Sequence, residues 1–271
     1  MKIIRYQDSK GTVGYAAQQP DGSALRLMGD IFARPKVGTV PADVQTILAP
    51  IVPTVFFCIG LNYRKHAVES QTPIPEFPVV FMKNPAAVQD PGGPVLLPRA
   101  LTSNAVDYEG ELAVVIGRRC KNIPKERALD YVLGYSCAND ISARDWQGKW
   151  GGSQWCRGKT FDTFAPLGPC LVTADEICDP NTLHIRTILN GQVMQNSNTQ
   201  DMIFDVPALI AFLSGSTTLL PGTVILTGTP GGVGSARKPP RYLQPGETVT
   251  VEIEKIGSLT NPIEEESLGG A

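Results

Sequence analysis

Glycine and proline interrupt this chain before any apolar run grows long: 27 glycines and 23 prolines among 271 residues separate stretches that are short and often alternate with polar residues. Period-two alternation bounded by turn formers is the pattern of half-buried strands. Turn residues at this density fit a strand-rich α+β fold and argue against a helical bundle. The length allows a substantial core, in one large domain or a large domain with a small appendage. Strands are expected at 2–6, 14–17 and 24–27, with a small helix at 42–48, forming a small N-terminal domain over 1–50 that ends at the joint Ala49-Pro50-Ile51-Val52-Pro53. The larger domain, 54–271, should carry strands at 55–59, 79–83, 108–116, 134–140, 223–227 and 248–253. A hairpin at 183–195 turns on Asn190-Gly191, a type I′ signal. The clearest helix begins at Asp205, a good N-cap, with Pro207 in its first turn.

The run Asp107-Tyr108-Glu109-Gly110-Glu111-Leu112-Ala113-Val114-Val115-Ile116-Gly117 places two carboxylates two residues apart in an otherwise apolar strand. Alternate strand residues face one side, so Glu109 and Glu111 project together while Leu112, Val114 and Ile116 need apolar surroundings on the other. Two like charges that close stay ionised with a cation between them; without one, a pKa rises until a proton is shared. A cation asks for a third oxygen ligand. Asp140 is the candidate, because it ends the apolar run 131–138 where a strand would meet a loop. The same spacing also suits the solvated face of an edge strand.

With 24 basic and 26 acidic residues the net charge is -2, which offers no basic face to nucleic acid or to an anionic membrane. No apolar segment has the length of a membrane span, and Met1-Lys2-Ile3-Ile4-Arg5-Tyr6 leads into no signal-type apolar stretch. A soluble cytoplasmic protein is the expectation. The six cysteines are scattered without a Cys-x-x-Cys pair, so free thiols and no zinc site are expected.

There are two histidines. His184 alternates with Leu183 and Ile185 and reads as solvated. His66 lies three residues before Glu69 in a short helix after a strand ending at Gly60, so the two share one side of that helix. A carboxylate that fixes the imidazole tautomer supports a general base; a surface ion pair is the plainer reading. Lys159 precedes a turn-rich run and can be aimed at an anionic ligand, or can simply be solvated. Neither the segment 152–160 nor Thr227-Gly228-Thr229-Pro230-Gly231-Gly232-Val233-Gly234 fits a nucleotide fingerprint. The latter reads as a loop whose amides and hydroxyls can hold a carboxylate.

Five elements occur together in one order: Gly60-Leu61-Asn62-Tyr63 with His66 and Glu69; Asp107-Tyr108-Glu109-Gly110-Glu111; Asp140 with Ala143-Arg144-Asp145-Trp146-Gln147; Gly158-Lys159-Thr160-Phe161-Asp162; and Leu226-Thr227-Gly228-Thr229-Pro230. In this combination the chain resembles the fumarylacetoacetate hydrolase family over roughly 55–253. The resemblance implies a mixed β-sandwich roll with a small N-terminal domain, a homodimer, and Mg²⁺ or Mn²⁺ held by Glu109, Glu111 and Asp140, which favours the metal over the solvated edge strand. It implies an enzyme acting on small 2-oxo or 2,4-dioxo acids through a metal-stabilised enolate. Carbon–carbon hydrolysis of acylpyruvates such as acetylpyruvate or fumarylpyruvate ranks first. Decarboxylation or keto–enol tautomerisation of oxaloacetate, and isomerisation or decarboxylation in homoprotocatechuate catabolism, are the alternatives; an inactive binder of metal and 2-oxo acids is the reading of a different class. On the hydrolytic reading Glu69 orients His66, which activates water. Lys159 and Gln147 would contact substrate near the metal, and Gly228 with Thr229 would hold its carboxylate. Arg64, beside the His66 helix, is the candidate for a distal carboxylate.

Overall fold

The computed structural model describes residues 1–268. Its first strands are β1 (Lys2–Gln7), β2 (Val13–Gln18), β3 (Ala24–Met28), β4 (Lys36–Pro41), β5 (Thr46–Leu48) and β6 (Val55–Gly60), followed by helix α1 (Arg64–Glu69). Then come β7 (Val79–Lys83), β8 (Val88–Gln89), β9 (Val95–Leu97), β10 (Val106–Asp107), β11 (Gly110–Ile116), β12 (Val132–Asn139) and β13 (Ser142–Ala143). Two single-turn helices, α2 (Arg144–Gln147) and α3 (Cys156–Lys159), precede β14 (Ala165–Thr173). The chain continues through β15 (His184–Leu189), β16 (Gln192–Asn198), α4 (Val206–Ser214), β17 (Thr223–Leu226), β18 (Thr248–Ile253) and β19 (Gly257–Glu265).

A large mixed sheet runs β4-β3-β2-β1-β14-β12-β11-β17-β6-β7, and a five-stranded sheet runs β16-β15-β18-β19-β9. The N-terminal strands extend the large sheet through the antiparallel pairing of β1 with β14. Its central strand β11 is buried along its whole length, between β12 and β17. Leu112, Val114 and Ile116 enter one apolar cluster with Ile185, Val251 and Ile253 of the second sheet and Leu209 and Ile210 of α4. Ala113 and Val115 enter another, with Phe56, Cys58, Phe81, Ala138 and Leu226. Glu111 shares the parity of that second face, so the acids cap an apolar layer.

Local chemistry explains the elements that match expectation. Asn190 and Gly191 take φ of 50° and 81°, the positive values a type I′ turn requires. The Asp205 carboxylate accepts from the Ala208 N–H at 2.9 Å and starts α4. The expected helix at 42–48 is absent: Thr46–Leu48 is a strand paired with Arg5, Tyr6 and Gln7 of β1. Val44, Thr46 and Ile47 are β-branched, and a free edge of β1 to pair with decides the conformation. The expected strand at 108–116 is also broken. Asn139 Oδ1 accepts the Glu109 N–H and Gln195 Oε1 accepts the Gly110 N–H, both at 2.9 Å, so side chains replace ladder bonds where the chain leaves β13 and joins β12.

Candidate metal centre and active site

The site lies where the start of β11 meets the end of β12. Gly110 pairs with Asn139 and Glu111 with Ala138, and the Asp140 N–H donates to the Glu109 carbonyl at 2.8 Å. This register brings one carboxylate oxygen from each of Glu109, Glu111 and Asp140 within 4.8 Å of one another, all three residues being buried. The solvated edge-strand alternative is thereby excluded.

Two buried lysines and the half-buried Arg144 surround these acids. Lys159 donates to Glu109 Oε2 at 2.6 Å and to Asp140 Oδ2 at 2.8 Å. Arg144 reaches Glu109 Oε1 at 2.7 Å and grips Asp107 through Nε and Nη2 at 2.9 and 2.8 Å. Lys83 donates to Asp140 Oδ1 and to the Ile141 carbonyl. Burial alone would raise the Glu109 pKa, but Arg144 and Lys159 outweigh it and hold Glu109 well below the usual carboxylate range. Burial likewise opposes the charge on Lys159, and Asp140 and Glu109 restore it, leaving its pKa raised. For Lys83 burial prevails over Asp140, and its pKa is lowered.

Glu111 differs. Its one hydrogen-bond donor among the described residues is the Gly228 N–H, at 2.7 Å, and no lysine or arginine pairs with it. Burial first, then the charges of Asp140 and Glu109, push its pKa well above the ordinary value. A buried carboxylate lacking a cation, beside two others within ligand distance, is what a hard divalent ion fits: three oxygen ligands leave further octahedral positions open, as Mg²⁺ prefers.

A cavity of about 170 Å³ opens beside the acids, lined in part by Gly60, His66, Glu109, Gln147, Lys159 and Thr229. His66 Nδ1 lies 3.3 Å from Glu69 Oε2, and both Glu69 oxygens accept from the Gly232 N–H at 3.0 and 2.9 Å. Burial would raise Glu69, yet the His66 and Gly232 hydrogen bonds outweigh it and lower its pKa. With Nδ1 turned to Glu69, Nε2 is the nitrogen left to exchange a proton in the cavity.

The structure thus gathers His66, Glu69, Gln147, Lys159 and Thr229 with the three acids. Gly228 lies there too, but its amide is spent on Glu111, not on a substrate carboxylate. It has φ of 96°, and a Cβ there would come 2.7 Å from Asn62 Cβ. The Thr229 hydroxyl donates to the Gly110 carbonyl at 3.0 Å and accepts from Gln195 at 2.8 Å. Arg64 is exposed and does not line the cavity, so the distal-carboxylate role finds no support in its position. Gln147 Oε1 accepts from Arg144 at 3.0 Å, which aims its amide. Sequence reasoning missed Lys83, whose one signal is a lysine ending an apolar strand, and gave no role to Asp107 or Arg144.

Residues 55–264 match the family model described as Fumarylacetoacetate (FAA) hydrolase C-terminal. The chain belongs to the fumarylacetoacetate hydrolase family. It is 47% identical over 252 residues to a Xenopus laevis protein named oxaloacetate tautomerase fahd2, mitochondrial, covering 93% of this chain and 76% of that one. The crystal structure of 2-hydroxyhepta-2,4-diene-1,7-dioate isomerase from Mycobacterium marinum matches with a TM-score of 0.84 at 38% identity, over 98% of this chain and 99% of that one. A fumarylacetoacetate hydrolase from Exiguobacterium antarcticum matches with a TM-score of 0.88 at 34% identity, over 98% and 100% of the two chains. Members of this family are enzymes, and this chain has the fold and the acidic triad for one. Among the described residues no helix is long and apolar enough to cross a membrane.

Proposed function

We propose that this protein is a divalent-metal-dependent enzyme that moves a proton on a small 2-oxo diacid, interconverting its keto and enol forms, with oxaloacetate the first substrate to test. The observation that carries the reading is His66, held by Glu69, lining the same small cavity as Glu109, whose carboxylate lies within 4.8 Å of those of Glu111 and Asp140. Glu109, Glu111 and Asp140 would hold Mg²⁺ or Mn²⁺, which when bound supplies positive charge to the oxygens of the 2-oxo acid. Lys159, aimed at the acids from α3, adds a second positive charge where negative charge develops on substrate oxygen. His66 takes the proton from carbon and returns it to oxygen, or the reverse. Glu69 holds the tautomer and favours the imidazolium that forms between the two transfers. Gln147 orients the substrate, and Thr229 shapes the wall opposite.

The activity named for the Xenopus laevis relative, oxaloacetate tautomerase, supports proton transfer over carbon–carbon hydrolysis. The hydrolytic expectation needs His66 to deprotonate a water instead, so acetylpyruvate and fumarylpyruvate belong in the same assay. A homodimer and a cytoplasmic location also belong to this proposal; the Xenopus laevis relative is named as mitochondrial.

The test is the decay of enol oxaloacetate, followed by its ultraviolet absorbance with Mg²⁺, with Mn²⁺ and with chelator. We expect acceleration with either ion, return to the buffer rate with chelator, and a loss of about 10²–10⁴-fold in His66→Ala. Decay at the buffer rate under all conditions, beside rapid cleavage of acetylpyruvate, would replace the tautomerase reading with the hydrolytic one.

A further inference from the structure

We infer that the Trp155 indole gauges substrate length, admitting four-carbon 2-oxo diacids and holding back longer ones; the inference rests on the 2-oxo acid reading of the site given above. Trp155 immediately precedes α3, four residues before Lys159, and lines the same cavity. Its six-membered ring lies on Gly60: a Cβ at position 60 would stand 2.2 Å from Cζ3 and 2.8 Å from Cη2 of the indole. It meets Phe81 edge to face with centroids 5.5 Å apart, and the Phe81 ring has Lys159 Nζ 5.0 Å from its centroid. One aromatic wall therefore runs from the buried ammonium to the end of β6.

The cavity's charged end, with Glu109, Arg144, Lys159 and Gln147, must face the carboxylate and 2-oxo group of a bound acid, while His66, Ser70, Thr72 and Thr229 add further polar lining. A chain that extends past them on the Gly60 side meets the wall of Phe81 and Trp155. Space is short: about 170 Å³ is the room of roughly six waters, against about 300–1,000 Å³ for sites that take drug-sized ligands. The wall is also firmly placed. A Cβ at Gly151 would fall 2.0 Å from the Trp146 carbonyl oxygen, and one at Gly158 would fall 2.3 Å from the Gln147 nitrogen, so the turn carrying Trp155 is packed backbone to backbone against α2. Moving the indole aside for a longer acid would disturb that packing and, with it, Lys159.

The experiment compares kcat/KM for oxaloacetate and for 2-hydroxyhepta-2,4-diene-1,7-dioate in the Mg²⁺-loaded full chain, Trp155→Ala and Trp155→Phe. Oxalate binding by calorimetry is the control, because oxalate engages the polar end and is too short to reach Trp155. We expect the native protein to prefer the four-carbon acid. Trp155→Ala should shift the preference toward the seven-carbon acid by about tenfold or more, Trp155→Phe should lie between, and oxalate affinity should stay within about twofold of native, the polar end being untouched. If Trp155→Ala does not fold, the Trp155→Phe shift decides. An unchanged preference with intact oxalate binding would overturn the gauge and leave the 2-oxo acid reading standing, as would a native preference for the longer acid. Failure of the native protein to bind oxalate or to act on either acid would overturn that reading, and the gauge with it.

Discussion

Glu111 holds the centre of the account because it is the one acid of the triad with no basic partner. Its raised pKa means that it keeps a proton at pH values where Glu109 has already lost one. A divalent ion must displace that proton. Below the folded pKa of Glu111, affinity for Mg²⁺ or Mn²⁺ should therefore climb with pH by about tenfold per unit, with one proton released per ion, and flatten above it. Titrations in buffers of different ionisation enthalpy measure that proton directly; binding with no release and no pH slope would count against Glu111 as a ligand. Lys83 gives a second residue-scale prediction. It is 2% exposed and pairs with Asp140, so Lys83→Met should lower unfolding free energy in urea by about 1–3 kcal/mol, Asp140 being left with Lys159 alone. A variant as stable as the native chain would show that the lysine is dispensable.

At the scale of elements, β11 and β12 set the acids, α1 sets His66, and α3 sets Lys159. The seat of α3 is tight. Gly158→Ala would bring its Cβ against the Gln147 nitrogen and the Ala143 carbonyl oxygen, at 2.3 and 2.6 Å, and neither is a side chain that can swing away. We expect it to cost about 1–3 kcal/mol of stability and to lower turnover more than the melting point suggests, because Lys159 follows directly; native turnover in a destabilised variant would contradict this. Much of this arrangement was legible from local patterns. The Glu109–Glu111 spacing, the His66–Glu69 spacing, the Asn190-Gly191 turn and the Asp205 cap each depend on neighbours within a few residues. What depended on distant partners was not. The strand Thr46–Leu48 exists because β1 offers an edge, Lys83 matters because the fold brings the end of β7 to Asp140, 57 positions away, and the Gly228 amide is taken by a carboxylate 117 positions away.

The whole molecule gathers four buried carboxylates (Asp107, Glu109, Glu111 and Asp140) against two buried lysines (Lys83 and Lys159) and the half-buried Arg144 at one end of an apolar layer. Glu111 keeps its proton there, so three charged carboxylates balance the three cations, and a divalent ion takes up the charge left when that proton is displaced. Binding to the folded state alone stabilises it by mass action, and Mg²⁺ at about one hundred times its Kd should add about 2.7 kcal/mol, seen as a melting point that rises with ion concentration. The most direct test of the central claim is calorimetric titration of Mn²⁺ into the chelator-treated native chain and into Glu111→Gln. We expect one ion per chain in the native protein and a loss of about 100-fold or more in affinity when the carboxylate becomes an amide. Equal binding in the two proteins would contradict it.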